Sequence, residues 1–374
     1  MTGLGRVDVA HKAKLIDQSG QFATSVESWP SIVITKEEIE REVERLADEP
    51  PPANGRRASS IVHPMAQAPG LGLAPGIDAH IEVLKPGESV RVSRSNGSAV
   101  GTCIRGQGAA RIGTSCFGVE KHDVWNVPSM HPVFYENSGS DLLVRLTFSN
   151  RPMLEKLMVF YGEEAEDSKI SGAWFETVAQ NAPAGPRAKD SAPIVPIEGG
   201  GFLMPYEHLV DPDTVENRAL HWPWSIVEPR LNAVRGIGEG YTGRRLYILY
   251  NPATERRNGT THSFFASIAA YPGDVVDRPH RHSSAAINYW FAGSGRSTVN
   301  GEKLFWKAGD LMLSAPGWSV HNHASGPDGF YSLTIQDHPL MIAAESLIWQ
   351  ETMKDPIKNL GTQIGFQTNI SELV

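Results

Sequence analysis

From about Ile61 to Ser149 apolar and polar positions alternate in short runs rich in Val, Ile and Phe. Gly, Pro, Asn and Ser interrupt these runs, as in HIEVLKPGESVRVS, GTCIRGQGAARIG and DLLVRLTFS. A period of two with frequent turn residues predicts an antiparallel sandwich or barrel. Ahead of it, KEEIEREVERLAD (Lys36–Asp48) carries Ile39, Val43 and Leu46 at helical spacing. Thr35 and Glu38 form a capping box at its start, and Pro50, Pro51 and Pro52 stop it. This predicts a helical arm packed on the body or on a partner subunit. After the strands, PMLEKLMVFYGEEAE (Pro152–Glu166) predicts a helix with Pro in its first turn. The Pro/Gly/Ala-rich stretch from Ser168 to Gly201 reads as a linker. Strand texture returns near Arg245–Leu249, runs to Ile335, and ends in a second helix-like segment, Pro339–Met353.

The two strand-rich regions are copies of one pattern. LTFSNRPMLEKLMVFYGEE (Leu146–Glu164) and LTIQDHPLMIAAESLIWQE (Leu333–Glu351) share one layout. KPGESV echoes YPGDVV, RGQG echoes AGSG, and NVPSM echoes SAPGW, all at spacings of 186 to 188 residues. The expected organisation is an all-β chain of two barrels: an arm at 1–60, an N-terminal barrel at 61–166, a linker at 167–235 and a C-terminal barrel at 236–374, with a helix after each barrel.

Composition narrows the setting. In 374 residues, 40% are hydrophobic and 20% charged, which supports a sizeable core and argues against disorder. The net charge of −8, without a Lys/Arg block, argues against nucleic acid. No run of 18 apolar residues predicts a membrane span, and no apolar segment near the N-terminus predicts a signal peptide. Cys103 and Cys116 read as two free thiols, and the expected location is the cytoplasm.

The chemistry concentrates in the second copy. PHRH supplies His280 and His282, and APGWSVHNH supplies His321 and His323. In a strand, residues i and i+2 face the same way, so each pair projects two imidazoles to one side. Three or four imidazoles converging inside a barrel, from among His280, His282, His321 and His323, suit a first-row metal. In the first copy the matching positions are Ser93, Ser95, Val133 and Tyr135, so the N-terminal barrel is expected to carry no metal. His323 suits a hydrogen bond or proton transfer to a bound substrate. The same parity turns Ala286, Asn288 and Trp290 inward, where Trp290 offers a stacking face. Trp318 precedes the third ligand. Arg256 and Arg257, in NPATERRNG, are the nearest cations in sequence for a substrate carboxylate, while Arg278 and Arg281 should turn outward. His262 and His338 show no cluster.

PGDVVDRPHRHSSAAINYWFAGSG, GDLMLSAPGWSVHNHASG, YNPAT and the DHP and NRP segments, within residues 61–355, resemble the cupin superfamily, specifically the bicupin gentisate 1,2-dioxygenase-like ring-cleaving dioxygenases. The resemblance implies two double-stranded β-helix (jelly-roll) barrels, Fe(II), a hydroxylated aromatic acid and O2 as substrates, and a homodimer or homotetramer. It implies cleavage between the hydroxyl- and carboxyl-bearing ring carbons. Two departures stand out. Iron usually sits in the N-terminal cupin of that family, and its substrate-facing Arg, eight residues past the first metal His, is here Asn288. A neutral amide cannot form the bidentate ion pair. The usual cupin Glu is replaced at Ala285 or Ala286, so the resemblance implies a metal held by neutral His280, His282 and His321 alone. A metal-dependent cupin isomerase, lyase or hydrolase, or a non-catalytic small-molecule-binding bicupin, are the alternatives.

Overall fold

The computed structural model describes residues 13, 15–22, 27–179, 187–191, 193–210, 212–213, 215–233 and 245–363. In the N-terminal barrel, one sheet runs His221–Trp222, Val124–Val127, Ala99–Arg105, Leu143–Ser149, Asp78–Leu84, Arg57–Ser60. The other runs Gly162–Glu164, Ser93–Ser95, Val133–Glu136, Gly108–Ile112, Ser115–Val119. In the C-terminal barrel two long strands, Ala286–Val299 and His321–Gln336, pass through both walls and join them into a ten-stranded sheet. Register shifts near Trp290 and Gly293 let these strands bend around the barrel.

The repeat is visible in the pairing itself. Ser93–Ser95 pairs with Gly162–Glu164 and meets Val133, while His280–His282 pairs with Ile348–Glu351 and meets His321. Both helices that follow the barrels are shorter than their sequences suggest. They cover Arg151–Lys156 and His338–Ala343. Met158 and Glu345 adopt positive φ just beyond them, so the chain turns and contributes a strand instead. The described residues of the expected linker include a helix at Ser168–Ala179 and another at Trp224–Ala233. Arg111 and Arg94 stack on Phe175 and Trp174 of the first of these, which ties it to the N-terminal barrel.

One apolar core lies between the barrels. Ile81, Val83, Val144, Leu146 and Phe148 from one side meet Ile268, Ile287, Tyr289, Leu333 and Ile335 from the other. Each barrel also has an interior core of its own, around Trp125 and Ile112 in the first and around Trp290, Trp306 and Met312 in the second. The arm spans the pair. Its strand Ile32–Ile34 pairs with Leu311–Leu313 of the C-terminal barrel. Its helix Lys36–Asp48, capped as the sequence predicts, buries Ile39, Val43 and Leu46 in the core shared by the barrels. Both cysteines are free, Cys103 buried and Cys116 exposed. No helix among the described residues is long and apolar enough to cross a membrane.

Candidate metal centre

The His280–His282 strand and the start of the His321–Gln336 strand lie side by side, with His280 paired to His321. Alternation points His280, His282 and His321 to the same side, and one ring nitrogen from each lies within 4.8 Å of the others. All three are buried. Each Nδ1–H donates to a backbone carbonyl two residues away: His280 to Arg278 (3.1 Å), His282 to Ser284 (2.9 Å) and His321 to Ser319 (2.9 Å). A carbonyl only accepts, so Nδ1 carries a proton and, in the neutral form of each ring, Nε2 keeps its lone pair for the shared space. His282 Nε2 is buried with no hydrogen-bond partner. Burial and its histidine neighbours hold the His282 pKa well below the ordinary value, which keeps the ring neutral. Neutral rings with inward lone pairs are what a first-row metal ligand set requires, so the residues fit the metal.

Two residues that sequence periodicity did not single out complete the surroundings. Trp349, on the strand expected to be helical, stacks on His280 at 5.2 Å and lies 4.8 Å from His282. His338, expected to have no cluster, is reached through Ser284. The Ser284 hydroxyl lies 2.9 Å from His282 Nδ1 and 2.8 Å from His338 Nδ1. Burial lowers the His338 pKa to about 3, so this ring too is neutral.

His323 is half-buried, its ring centroid 6.0 Å from that of His321. Its Nδ1 meets the hydroxyl of Ser297 at 2.8 Å, and that hydroxyl accepts from Trp306 Nε1 at 3.0 Å. Ser297, itself held by Trp306, thus anchors the His323 ring through Nδ1.

The remaining predicted site residues are placed as follows. Asn288 is buried. Its Nδ2 donates to Ser314, whose hydroxyl is 3.3 Å from the Ala286 carbonyl, and its Oδ1 has no partner. Trp290 belongs to the barrel interior, stacked on Trp306 at 4.0 Å and 6.4 Å from His323. Trp318 lies against the guanidinium of Arg281, which also donates to Gln350, so this pair occupies the side opposite the histidines. Arg256 is exposed and Arg257 half-buried on a turn, Pro252–Arg257, that packs against the His338–Ala343 helix.

Fold and site together define a two-barrel cupin with a three-histidine centre in its C-terminal copy. Residues 261–358 match the model of the AraC-like ligand binding domain. The chain is 34% identical over 152 residues to 5-nitrosalicylic acid 1,2-dioxygenase of Bradyrhizobium sp., covering 39% of this chain and 71% of that protein. It is 34% identical over 87 residues to a gentisate 1,2-dioxygenase of Aquipseudomonas alcaligenes, covering 23% of this chain and 24% of that protein. To a Nocardioides 1-hydroxy-2-naphthoate 1,2-dioxygenase it is 27% identical over 277 residues, 72% of this chain and 64% of the relative. The chain belongs to this gentisate 1,2-dioxygenase-like family. Its fold matches the crystal structure of a salicylate 1,2-dioxygenase from Pseudaminobacter salicylatoxidans, with a TM-score of 0.70, 15% identity, and coverage of 91% of this chain and 93% of the other.

Proposed function

We propose that the chain is a cytoplasmic, homo-oligomeric, Fe(II)-dependent ring-cleaving dioxygenase. Its substrate class is a hydroxylated aromatic acid of the salicylate, gentisate or hydroxynaphthoate kind. The cleaved bond lies between the hydroxyl- and carboxyl-bearing ring carbons. The observation that carries this reading is the convergence of three buried imidazoles in a chain of this family.

His280, His282 and His321 would hold the iron through Nε2. When bound, the iron supplies the redox and Lewis-acid chemistry that O2 insertion needs. The protein offers no carboxylate ligand in this set, so an anionic substrate supplies the balancing charge. His323, its ring anchored through Nδ1 by Ser297, serves the substrate hydroxyl as a hydrogen-bond or proton-transfer partner. Asn288 Oδ1, a buried acceptor without a donor, receives a hydrogen bond from the substrate. Trp290 and Trp349 provide aromatic walls, and Arg256 and Arg257 supply positive charge beside the neighbouring helix.

Metal analysis and O2 uptake with salicylate, gentisate, 5-nitrosalicylate and 1-hydroxy-2-naphthoate test the reading. Iron-loaded protein is expected to consume O2 with at least one of them, and no uptake with any would overturn it. His321→Ala should abolish metal binding. His323→Ala should keep the metal and lose about 10²- to 10⁴-fold in turnover. Equal metal loss in both variants would refute the division of roles.

A further inference from the structure

We propose that Glu351 is a positioning residue for the metal centre, which holds the Trp349 indole against His280 and His282. This inference rests on the reading of the three histidines as metal ligands. The strand Ile348–Glu351 runs antiparallel to His280–His282, with Trp349 opposite His282, Gln350 opposite Arg281 and Glu351 opposite His280. Residues that face each other across an antiparallel pair project to the same side of the sheet, and alternate residues share that side. Trp349 and Glu351, both half-buried, therefore stand on the side of the histidines. Gln350 stands on the other side, where it accepts from Arg281 at 2.7 Å.

The direct cross-strand neighbour of Trp349 is His282, 4.8 Å away between ring centroids and tilted by 30°. The indole nevertheless lies nearly parallel to its diagonal neighbour, His280, at 10° and 5.2 Å. A diagonal contact is within reach of a large aromatic ring, but strand geometry alone does not select it. The selecting contact is the hydrogen bond that Trp349 Nε1 donates to Glu351 Oε1, at 2.7 Å. Because Glu351 stands opposite His280, this bond draws the indole along the strand and over that ring. The bond from His280 Nδ1 to the Arg278 carbonyl fixes where the imidazole points, and the stacked indole fixes its tilt.

The N-terminal copy supplies an internal control. There the same two strands pair, but Ser93 and Ser95 stand where the histidines do, and Gly162 faces Ser95 in place of the tryptophan. Glu164, opposite Ser93, keeps the acid, yet it accepts from Asn54 at 2.7 Å. The indole–carboxylate pair thus occurs in the copy that has ligands to brace and is missing from the copy that has none.

The test uses full-length protein titrated with Co(II) and followed by visible absorption, with affinity read by competition against a chelator of known strength. Glu351→Ala should weaken Co(II) binding about tenfold and shift the visible bands. Glu351→Gln keeps a side-chain carbonyl to accept from Nε1, and should return affinity and spectrum to near those of the parent. Trp349→Phe keeps an aromatic face but loses the donor, and should weaken binding as Glu351→Ala does. The double variant should be no weaker than either single one, because both changes break the same bond. Unchanged affinity in Glu351→Ala, a Gln variant as weak as the Ala variant, or additive losses in the double variant would overturn the proposal. A parent that binds no Co(II) would overturn the metal reading itself, and this inference with it.

Discussion

At the scale of single residues, orientation precedes chemistry. Three backbone carbonyls take the Nδ1 protons of His280, His282 and His321, and so leave three lone pairs facing one point. Ser284 adds a second tether, from His282 to His338. Ser284→Ala should therefore loosen His282 and weaken metal affinity about 10- to 100-fold, with little change in fold. Competition against a chelator of known affinity measures it, and unchanged affinity would assign Ser284 a packing role alone. The histidine pairs were legible because i and i+2 on a strand need only local geometry. Trp349 and His338 were not. They reach the centre through strand pairing and helix docking across the barrel, and their own neighbours in sequence carry no histidine or acidic pattern that marks a ligand.

Among elements, the capped helix is the simplest case. Thr35 accepts from the Glu38 amide and Glu38 returns a bond to the Thr35 amide, at 3.3 and 2.7 Å. Thr35→Ala should cost about 1 kcal/mol, read from urea denaturation. The segments after the barrels show the limit of periodicity. YGEE and IWQE each follow a helical stretch with compatible spacing, yet each finishes as a strand. Helix propensity is weak, and an open sheet edge at Ser93–Ser95 or His280–His282 offers ladder hydrogen bonds that a frayed helix end does not. The Ser168–Ala179 helix was hidden for a related reason: its ties to the barrel, such as the Phe175–Arg111 stack, come from remote sequence. The duplicated layout was readable at once, since spacings of 186 to 188 residues survive any local ambiguity.

For the whole molecule, the decisive feature is the core between the barrels. Alternation alone told which positions share a face, not that both copies would turn their most apolar faces toward each other. Because that core is common property, the two barrels should melt together. Phe148→Ala, at a position 1% exposed, should cost about 3–5 kcal/mol. Calorimetry should show one transition for the described body, lowered as a unit. Two separated transitions would mean that the barrels are independent. The arm belongs to the same scale. Its strand Ile32–Ile34 occupies the flank of Leu311–Leu313, and its helix is anchored in the shared core. A chain shortened by proteolysis at the arm would expose the unpaired backbone of Leu311–Leu313, a row of amides and carbonyls beside an apolar strand. Such a template recruits other chains. The strand Ile32–Ile34 thus guards the molecule against polymerisation.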